Sequence, residues 1–277
     1  MPARLAQIIA ATRSRVAESK RNADVRALER AAASHVPRGF RKALKTATGS
    51  GPAIIAELKK ASPSRGLIRQ NFDAEELARA LETAGAAALS VLTDEEFFQG
   101  SLENLRRAAA ASRLPCLRKD FMVDEFQILE ARASCADAVL LIVAALSSAE
   151  LATLGALARD FGLDVLCEVH SGDELQQAVD AGFDLIGVNN RDLRTFKVNI
   201  ETAVRLAPLI PKNTVRVAES GIHNGEGVTC LRAAGYDAFL IGESLMREVF
   251  PGEALRKLLA EAAAHDMERP VPSQTRL

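Results

Sequence analysis

From Pro52 onward, short apolar runs alternate with stretches of helical spacing along most of the chain. The runs Ala53–Leu58, Ala88–Leu92, Pro115–Arg118, Ala138–Ile142, Asp164–Cys167, Leu185–Val188, Val215–Ala218 and Ala238–Ile241 read as strands. Between them, Asp73–Ala84, Ser101–Ser112, Asp124–Ala133, Ser147–Asp160, Ser171–Ala181, Asn199–Leu206 and Gly225–Ala234 carry helical period, and a last helix follows Pro251. Many of these helices open on Asp, Ser or Asn and close near a glycine (Gly85, Gly162, Gly182, Gly235), the residues that cap helix ends. Eight strands, each followed by a helix, is the count of an α/β (β/α)8 TIM barrel. An open doubly wound sheet is the alternative, but it usually carries a glycine-rich phosphate turn after its first strand. Here that turn is ASPSRG, which favours the barrel.

Residues 1–48 stand outside this alternation. Leu5, Ile8 and Ile9, then Val25, Leu28 and Ala31–Ala33, predict two amphipathic helices broken near Asn22, followed by a basic stretch from Pro37 to Lys45. The expected division is a helical extension over 1–48, which on the plain reading packs on one end of the barrel and on a sharper one helps to wall its active site. A catalytic barrel over 49–264 and a disordered tail over 265–277, with Pro270 and Pro272, complete it.

Composition narrows the classes. A formal net charge of -1 gives no basic footprint for nucleic acid, and no apolar run approaches the roughly 18 residues of a membrane span. The amino terminus lacks the apolar core of a secretory signal, and Glu18 and Asp24 argue against a transit peptide, so a cytoplasmic location is expected. Cys116, Cys135, Cys167 and Cys230 lie far apart, as do the four histidines, so no metal site is expected. Cys116 and Cys167 fall inside strand-like runs and read as small buried hydrophobes in a reducing compartment.

Barrel enzymes gather their catalytic groups at the carboxyl ends of the strands. The first run here ends in Glu57-Leu58-Lys59, the third in Lys119-Asp120-Phe121 and the fifth in Glu168-Val169-His170. The sixth ends in Asn189-Asn190-Arg191, the seventh in Glu219-Ser220-Gly221 and the eighth in Gly242-Glu243-Ser244. Strand alternation puts Glu57 and Lys59 on one face above Ile55, with Lys60 turned away. Leu117 lies below Lys119, Leu166 below Glu168 and Val217 below Glu219 in the same manner. One such residue is ordinarily a solvated strand end. Many in register form a ring of acids and bases that must pair with one another or await a charged ligand. Gly221 and Gly242, after strands seven and eight, stand where barrels often hold phosphate on backbone N–H groups. The Glu243 carboxylate speaks against that, unless only its backbone faces the ligand.

Seven segments in order, ELKKASPSRG, SVLTDEEFFQGS, LRKDFMVDEFQI, CEVH, GVNNRDL, VAESGI and FLIGESLM, resemble indole-3-glycerol-phosphate synthase of tryptophan biosynthesis. The resemblance runs from about Arg38 to Met246, and the departures are small: Val188 in GVNN, and Glu243 where a small residue is more readily expected. It implies the decarboxylating, dehydrating ring closure of 1-(2-carboxyphenylamino)-1-deoxyribulose 5-phosphate by general acid–base catalysis, with no metal and no organic cofactor. Carried over by motif, Lys119 is the principal acid. Glu168 is a base or stabilises a cationic intermediate. Lys59 holds the substrate carboxylate or phosphate and serves as a second donor, while Glu57 assists dehydration and orients Lys59. Asn189 binds a substrate hydroxyl, and Glu219 and Ser220 complete the polar ring. Ser62 sits at the anthranilate end, Phe98 and Phe121 wall the aromatic ring, and Arg191 pairs with a carboxylate or touches substrate. Ser220, Gly221, Gly242 and the backbone of Glu243 hold the phosphate. Lys59 and Lys119, as neighbours, would each lower the other's pKa, with Glu57 opposing. The chain has no room for a second barrel, so a monofunctional enzyme is expected, a monomer or weak homo-oligomer open to contact with other enzymes of the pathway.

Two rival readings fit the same barrel. One is a phosphosugar aldolase or isomerase with a Schiff base on Lys59 or Lys119. The other is a barrel that only binds a phosphorylated ligand.

Overall fold

In the computed structural model, which describes residues 2–268, eight parallel strands close on themselves. They are β1 (Ala53–Leu58), β2 (Ala88–Leu92), β3 (Cys116–Lys119), β4 (Ala138–Ile142), β5 (Asp164–Val169), β6 (Leu185–Asn189), β7 (Val215–Glu219) and β8 (Ala238–Ile241). Each pairs with its sequence neighbours, and β1 closes the ring against β8. The fold is a (β/α)8 TIM barrel, as the alternation predicts. Parallel strands are covered on both faces, which is why the runs are apolar throughout. Ile54, Ala56 and Leu58 face outward to the helices, packing with Leu77 and Leu81, while Ala53 and Ile55 face the barrel interior with Leu117, Leu166 and Val217.

Four strands outlast the apolar runs that predict them by one or two residues. The added residues, Lys119, Glu168, Val169, Asn189 and Glu219, are mostly polar, yet they belong to the ladder. Their side chains therefore project from rigid backbone rather than from loops. The helices follow the capping chemistry. Asp73, Ser101, Asp124, Ser171 and Asn224 each accept a backbone N–H of the first turn, and Ser147 with Glu150 forms a reciprocal capping box. The final helix, Pro251–Glu268, includes the first residues of the expected tail, and the remainder lies outside the described residues. Among the described residues no helix is long and apolar enough to cross a membrane.

The amino-terminal segment forms three helices where hydrophobic spacing predicts two: α1 (Ala3–Asn22), α2 (Val25–Ser34) and α3 (Phe40–Ala47). In α3 only Phe40 and Leu44 are buried, and Lys42 and Lys45 are exposed, so its basic composition hides a short apolar face. Phe40 and Leu44 pack into the inner core with Ala53, Ala138 and Leu185, stopping the amino-terminal end of the barrel. Leu5 and Ile9 of α1 join the inner core beside Leu140 and Ile142 at the opposite end. Between them α2 runs along the helix Glu125–Ala133. The segment thus reaches both ends of the barrel rather than one.

Carboxylates of the barrel tie it down. Asp137, fully buried, accepts the Arg38 backbone N–H at 2.7 Å and that of Cys116 at 2.7 Å. Its oxygens also face Arg38 Nε at 3.2 Å and His35 Nε2 at 3.3 Å. Asp164 accepts the Arg41 N–H at 2.8 Å. Removing Asp137 leaves two backbone donors unsatisfied and takes the carboxylate from the Arg38 guanidinium, which keeps the Ala109 and Ser112 carbonyls, so Asp137→Ala is expected to cost about 3–5 kcal/mol, read from the urea midpoint. Arg113→Ala breaks the pair with Glu82, in which the arginine side chain is 96% exposed, and should cost under about 1 kcal/mol. Equal midpoints in the two variants would refute the anchoring role.

Candidate active site

The inward side chains change from hydrocarbon to charge within one step along the strands. Above the layer of Ile55, Leu117, Leu166 and Val217 stand Glu57, Lys119, Glu168 and Glu219, all at least largely buried. Register sets their neighbours: Leu92 lies opposite Lys119, Ile142 opposite Glu168, and Asn189 opposite Glu219. Two ion-paired groups result. Lys59 Nζ lies 2.6 Å from Glu57 Oε1. Lys119 Nζ lies 2.8 Å from Glu168 Oε2 and 3.3 Å from Glu219 Oε2.

This arrangement reverses the expected titration of Lys119. Burial by itself would lower its pKa, but Glu168, Glu219 and Glu57 together hold it above the ordinary lysine range. Three carboxylates dominate over any effect of Lys59. The two glutamates that flank it are pushed apart. Burial favours the neutral form of both; for Glu168, the charges of Lys119 and then His170 prevail and hold it well below the usual carboxylate range. For Glu219, burial prevails and the like charge of Glu168 adds to it, so its pKa is raised. One carboxylate is thus set as a base and the other as an acid, on a shared ammonium. Glu219 has room to lie there because of Gly187: a Cβ at that position would collide with the Glu219 carboxylate. The Glu219 Oε1 atom is buried and finds no hydrogen-bond partner.

Every residue selected from the sequence lines one cavity of about 590 Å³ at this end of the barrel. Phe98 and Phe121 form an aromatic wall, with ring centroids 6.3 Å apart. Phe98 is carried on a short helix, Glu95–Phe98, whose cap Asp94 accepts the Phe97 N–H and pairs with Arg15 of α1 at 3.2 Å. Ser62 belongs to a two-stranded hairpin with Gly66–Leu67, its hydroxyl 3.5 Å from that of Ser64. Lys60 turns away, and its carbonyl accepts the N–H groups of Ile68 and Arg69. Arg118, adjacent to Lys119 but on the outer face, is 3% exposed and bonds Asp120, Thr93 and the Gln127 carbonyl, which fixes the end of β3.

At the opposite side, Ser220 (φ 65°) and Gly221 (φ 79°) are consecutive left-handed residues, and a side chain at Gly221 would strike Val198. A Cβ at Gly242 would meet the Glu57 side chain. The Glu243 carboxylate is engaged by Arg247 at 3.0 Å, Arg65 at 3.1 Å and Arg191 at 3.8 Å. Its charge is therefore offset, which removes the objection to an anion beside it. Arg191 also donates its backbone N–H to Asn189 Oδ1 at 3.0 Å, and the Asn189 side chain hydrogen-bonds the Glu168 carboxylate at the cavity wall.

The amino-terminal segment helps to wall the cavity, as its sharper sequence reading expects, but the particular contacts it makes escape sequence reasoning. Leu5 and Ile8 come from α1 and roof the cavity, and Arg4 ties α1 to the Pro63 carbonyl at 3.0 Å and stacks 4.7 Å from the Phe196 ring centroid. No local pattern announces such long-range contacts. His170 is different: it follows the end of β5, two residues beyond Glu168, a spacing that alternation would carry to the same face. Gly187 carries no chemistry and so no signal. Among the described residues, no group of three or more His, Cys, Asp or Glu side chains is placed to hold a metal ion.

A family profile described as "Indole-3-glycerol phosphate synthase" matches residues 5–258. The chain is 59% identical over 259 residues to a protein of that name from Koribacter versatilis, covering 94% of this chain and 100% of the relative. A Bordetella pertussis protein of the same name is 48% identical over 258 residues, covering 92% and 98%. Among solved structures, a mandelate oxidase variant superposes with a TM-score of 0.59 at 19% identity, covering 77% of this chain and 72% of its own. A thiamine phosphate pyrophosphorylase from Pyrococcus furiosus gives 0.58 at 17%, covering 77% and 96%. At such identities these two speak to the barrel alone. The match over nearly the whole chain and the level of identity to the named relatives are sufficient: the chain belongs to the indole-3-glycerol phosphate synthase family.

Proposed function

We propose that the charged ring at the barrel mouth divides the work of ring closure between its two ion-paired groups. The reaction converts 1-(2-carboxyphenylamino)-1-deoxyribulose 5-phosphate to indole-3-glycerol phosphate, carbon dioxide and water. The observation that carries the division of labour is the position of Lys119, a buried ammonium held between two carboxylates of opposite titration.

The ring carbon bearing the carboxylate attacks the ketone carbon, and the ketone oxygen takes a proton as the bond forms. Lys119 is that donor. Its raised pKa keeps it charged at rest, and the developing alkoxide is a far stronger base than the ketone, so transfer occurs where charge appears. The adduct carries positive charge on the anilino nitrogen and ring, which loss of carbon dioxide relieves. The new hydroxyl then departs as water, protonated by an acid of the ring, and Glu168 removes the proton from the adjacent carbon to complete the indole. Lys59, held by Glu57, balances the substrate carboxylate and reaches toward the phosphate. Glu57 supports the dehydration. Glu219, with its raised pKa, is the reserve acid that reloads Lys119. The Asn189 amide and Ser220 bind the sugar hydroxyls, while Ser62, Phe98 and Phe121 enclose the anthranilate ring. Backbone N–H groups of Ser220, Gly221, Gly242 and Glu243 receive the phosphate, with Arg191 and Arg65 exchanging partners from Glu243 to the ligand. On this reading the enzyme is cytoplasmic and needs neither metal nor organic cofactor.

The test is turnover followed by indole fluorescence. Lys119→Met should keep the fold and lose about 100-fold or more in kcat, the lower range for a general acid. Near-normal turnover would remove Lys119 from the role. A lysine adduct trapped by borohydride with the substrate would favour the Schiff-base alternative instead. Gly187→Ala forces the Glu219 carboxylate off its seat, and should lower kcat by about tenfold with little change in KM, at a stability cost of about 1–3 kcal/mol. An unchanged kcat would show that Glu219 need not lie where it does.

A further inference from the structure

His170 stands one strand position beyond the charged ring and belongs to neither ion-paired group. Its ring is buried, with the side chain 11% exposed. Glu174, in the first turn of the helix Gly172–Asp180, accepts the His170 backbone N–H at 2.7 Å and faces its Nδ1 at 3.2 Å. Nε2 points the other way, 3.4 Å from Glu168 Oε1, and has no hydrogen-bond partner of ordinary geometry. Glu168 therefore has a cation-bearing group on each oxygen: Lys119 on Oε2 and the imidazole on Oε1.

The two ring nitrogens face two different carboxylates. A neutral imidazole has one N–H and one lone pair, so either tautomer turns a lone pair toward an anion. Only the imidazolium meets both as a donor. We propose that His170 is a positioning residue of the acid–base site: as an imidazolium bridging Glu174 and Glu168, it orients the Glu168 carboxylate and keeps it ionised while Lys119 gives up its proton. The charges around the ring agree. Glu168 on its own strand, Glu174 on the adjoining helix and Glu219 on β7 all face it, against one ammonium, Lys119, beyond Glu168. Burial would lower the pKa of His170, but the Glu174 hydrogen bond and these carboxylates raise it above the ordinary histidine value.

The consequence lies in timing. Lys119 is the counter-charge of Glu168 at rest, and it loses that charge on protonating the substrate. Without a second cation, Glu168 would become a better proton acceptor as its acid partner is spent, and would capture a proton before it is needed as the base. His170 transfers no proton and forms no bond to substrate. It is the positive charge that persists through the step.

This rests on the assignment of Lys119 as acid and Glu168 as base. The chain has four histidines, so imidazole NMR titration with His170→Asn as the assignment control isolates the resonance. The expected result is a charged His170 at pH 7, with a midpoint that falls in Glu174→Gln. A His170 that is neutral at pH 7 overturns the proposal, and this measurement does not require the His170 variant to be active. In kinetics, kcat of the wild type should decline as pH rises through the His170 midpoint, because Glu168 then loses its counter-charge. Glu174→Gln should move that decline to lower pH. His170→Asn should lower kcat about tenfold, the order of one charge-assisted hydrogen bond, with KM within about twofold. Wild-type kcat and an unshifted pH profile in His170→Asn, while Lys119→Met and Glu168→Gln are inactive, would overturn the role of His170 alone. Active Lys119→Met or Glu168→Gln would instead overturn the assignment on which it rests.

Discussion

A lysine ammonium buried between two glutamates is stable only where each charge is answered at close range, and that requirement shapes the whole upper half of this barrel. Transfer of an isolated ion from water to a protein interior costs several kcal/mol even after relaxation. The Lys119, Glu168 and Glu219 side chains therefore have to converge within hydrogen-bond distance, which only strand ends in fixed register can ensure. The hydrocarbon layer beneath them keeps water from approaching from below, and the weak screening that results is what separates the titration of the two carboxylates. Pairing, register and chemistry are thus one constraint seen at three scales.

The amino-terminal segment extends that constraint to the remainder of the molecule. Its third helix seals the floor with Phe40 and Leu44, and its first helix roofs the mouth with Leu5 and Ile8. Both are secured by acids that the barrel supplies: buried Asp137 and partly buried Asp164 to the segment around Arg38 and Arg41, and buried Asp94 and Asp120 to Arg15. The same Asp94 caps the short helix that carries Phe98, so the roof and the aromatic wall share an anchor.

Strand identity was plainly legible, since burial on both faces leaves an unbroken apolar signature, and four of the eight strands match their predicted limits at both ends. The other strands ran past prediction where a polar side chain continued the ladder, because hydropathy marks where apolar residues end and not where hydrogen bonding ends. Helix α3 was missed for the converse reason: two apolar residues suffice to plug a barrel end, far fewer than an amphipathic pattern needs to be visible. Alternation placed Glu57, Lys119, Glu168 and Glu219 on one face, and the cavity unites them. It could not report that Lys119 would be governed by three acids rather than by Lys59, because that depends on distances across the barrel. Nor could it explain Glu243, whose arginine partners lie in three separate segments.

The bare backbone at Gly187 has a consequence for how such a site can be inherited or redesigned. The space occupied by the Glu219 carboxylate is owned by the neighbouring strand, so the acid and the vacancy form a single unit written at two distant places in the chain. Moving the glutamate to another barrel without the glycine would transfer the chemistry without its seat. Substitutions at the two positions should be strongly non-additive, since a smaller residue at 219 makes room for a larger one at 187. A survey that scores positions by the reactivity of their side chains would pass over Gly187, although what it contributes is the absence of one.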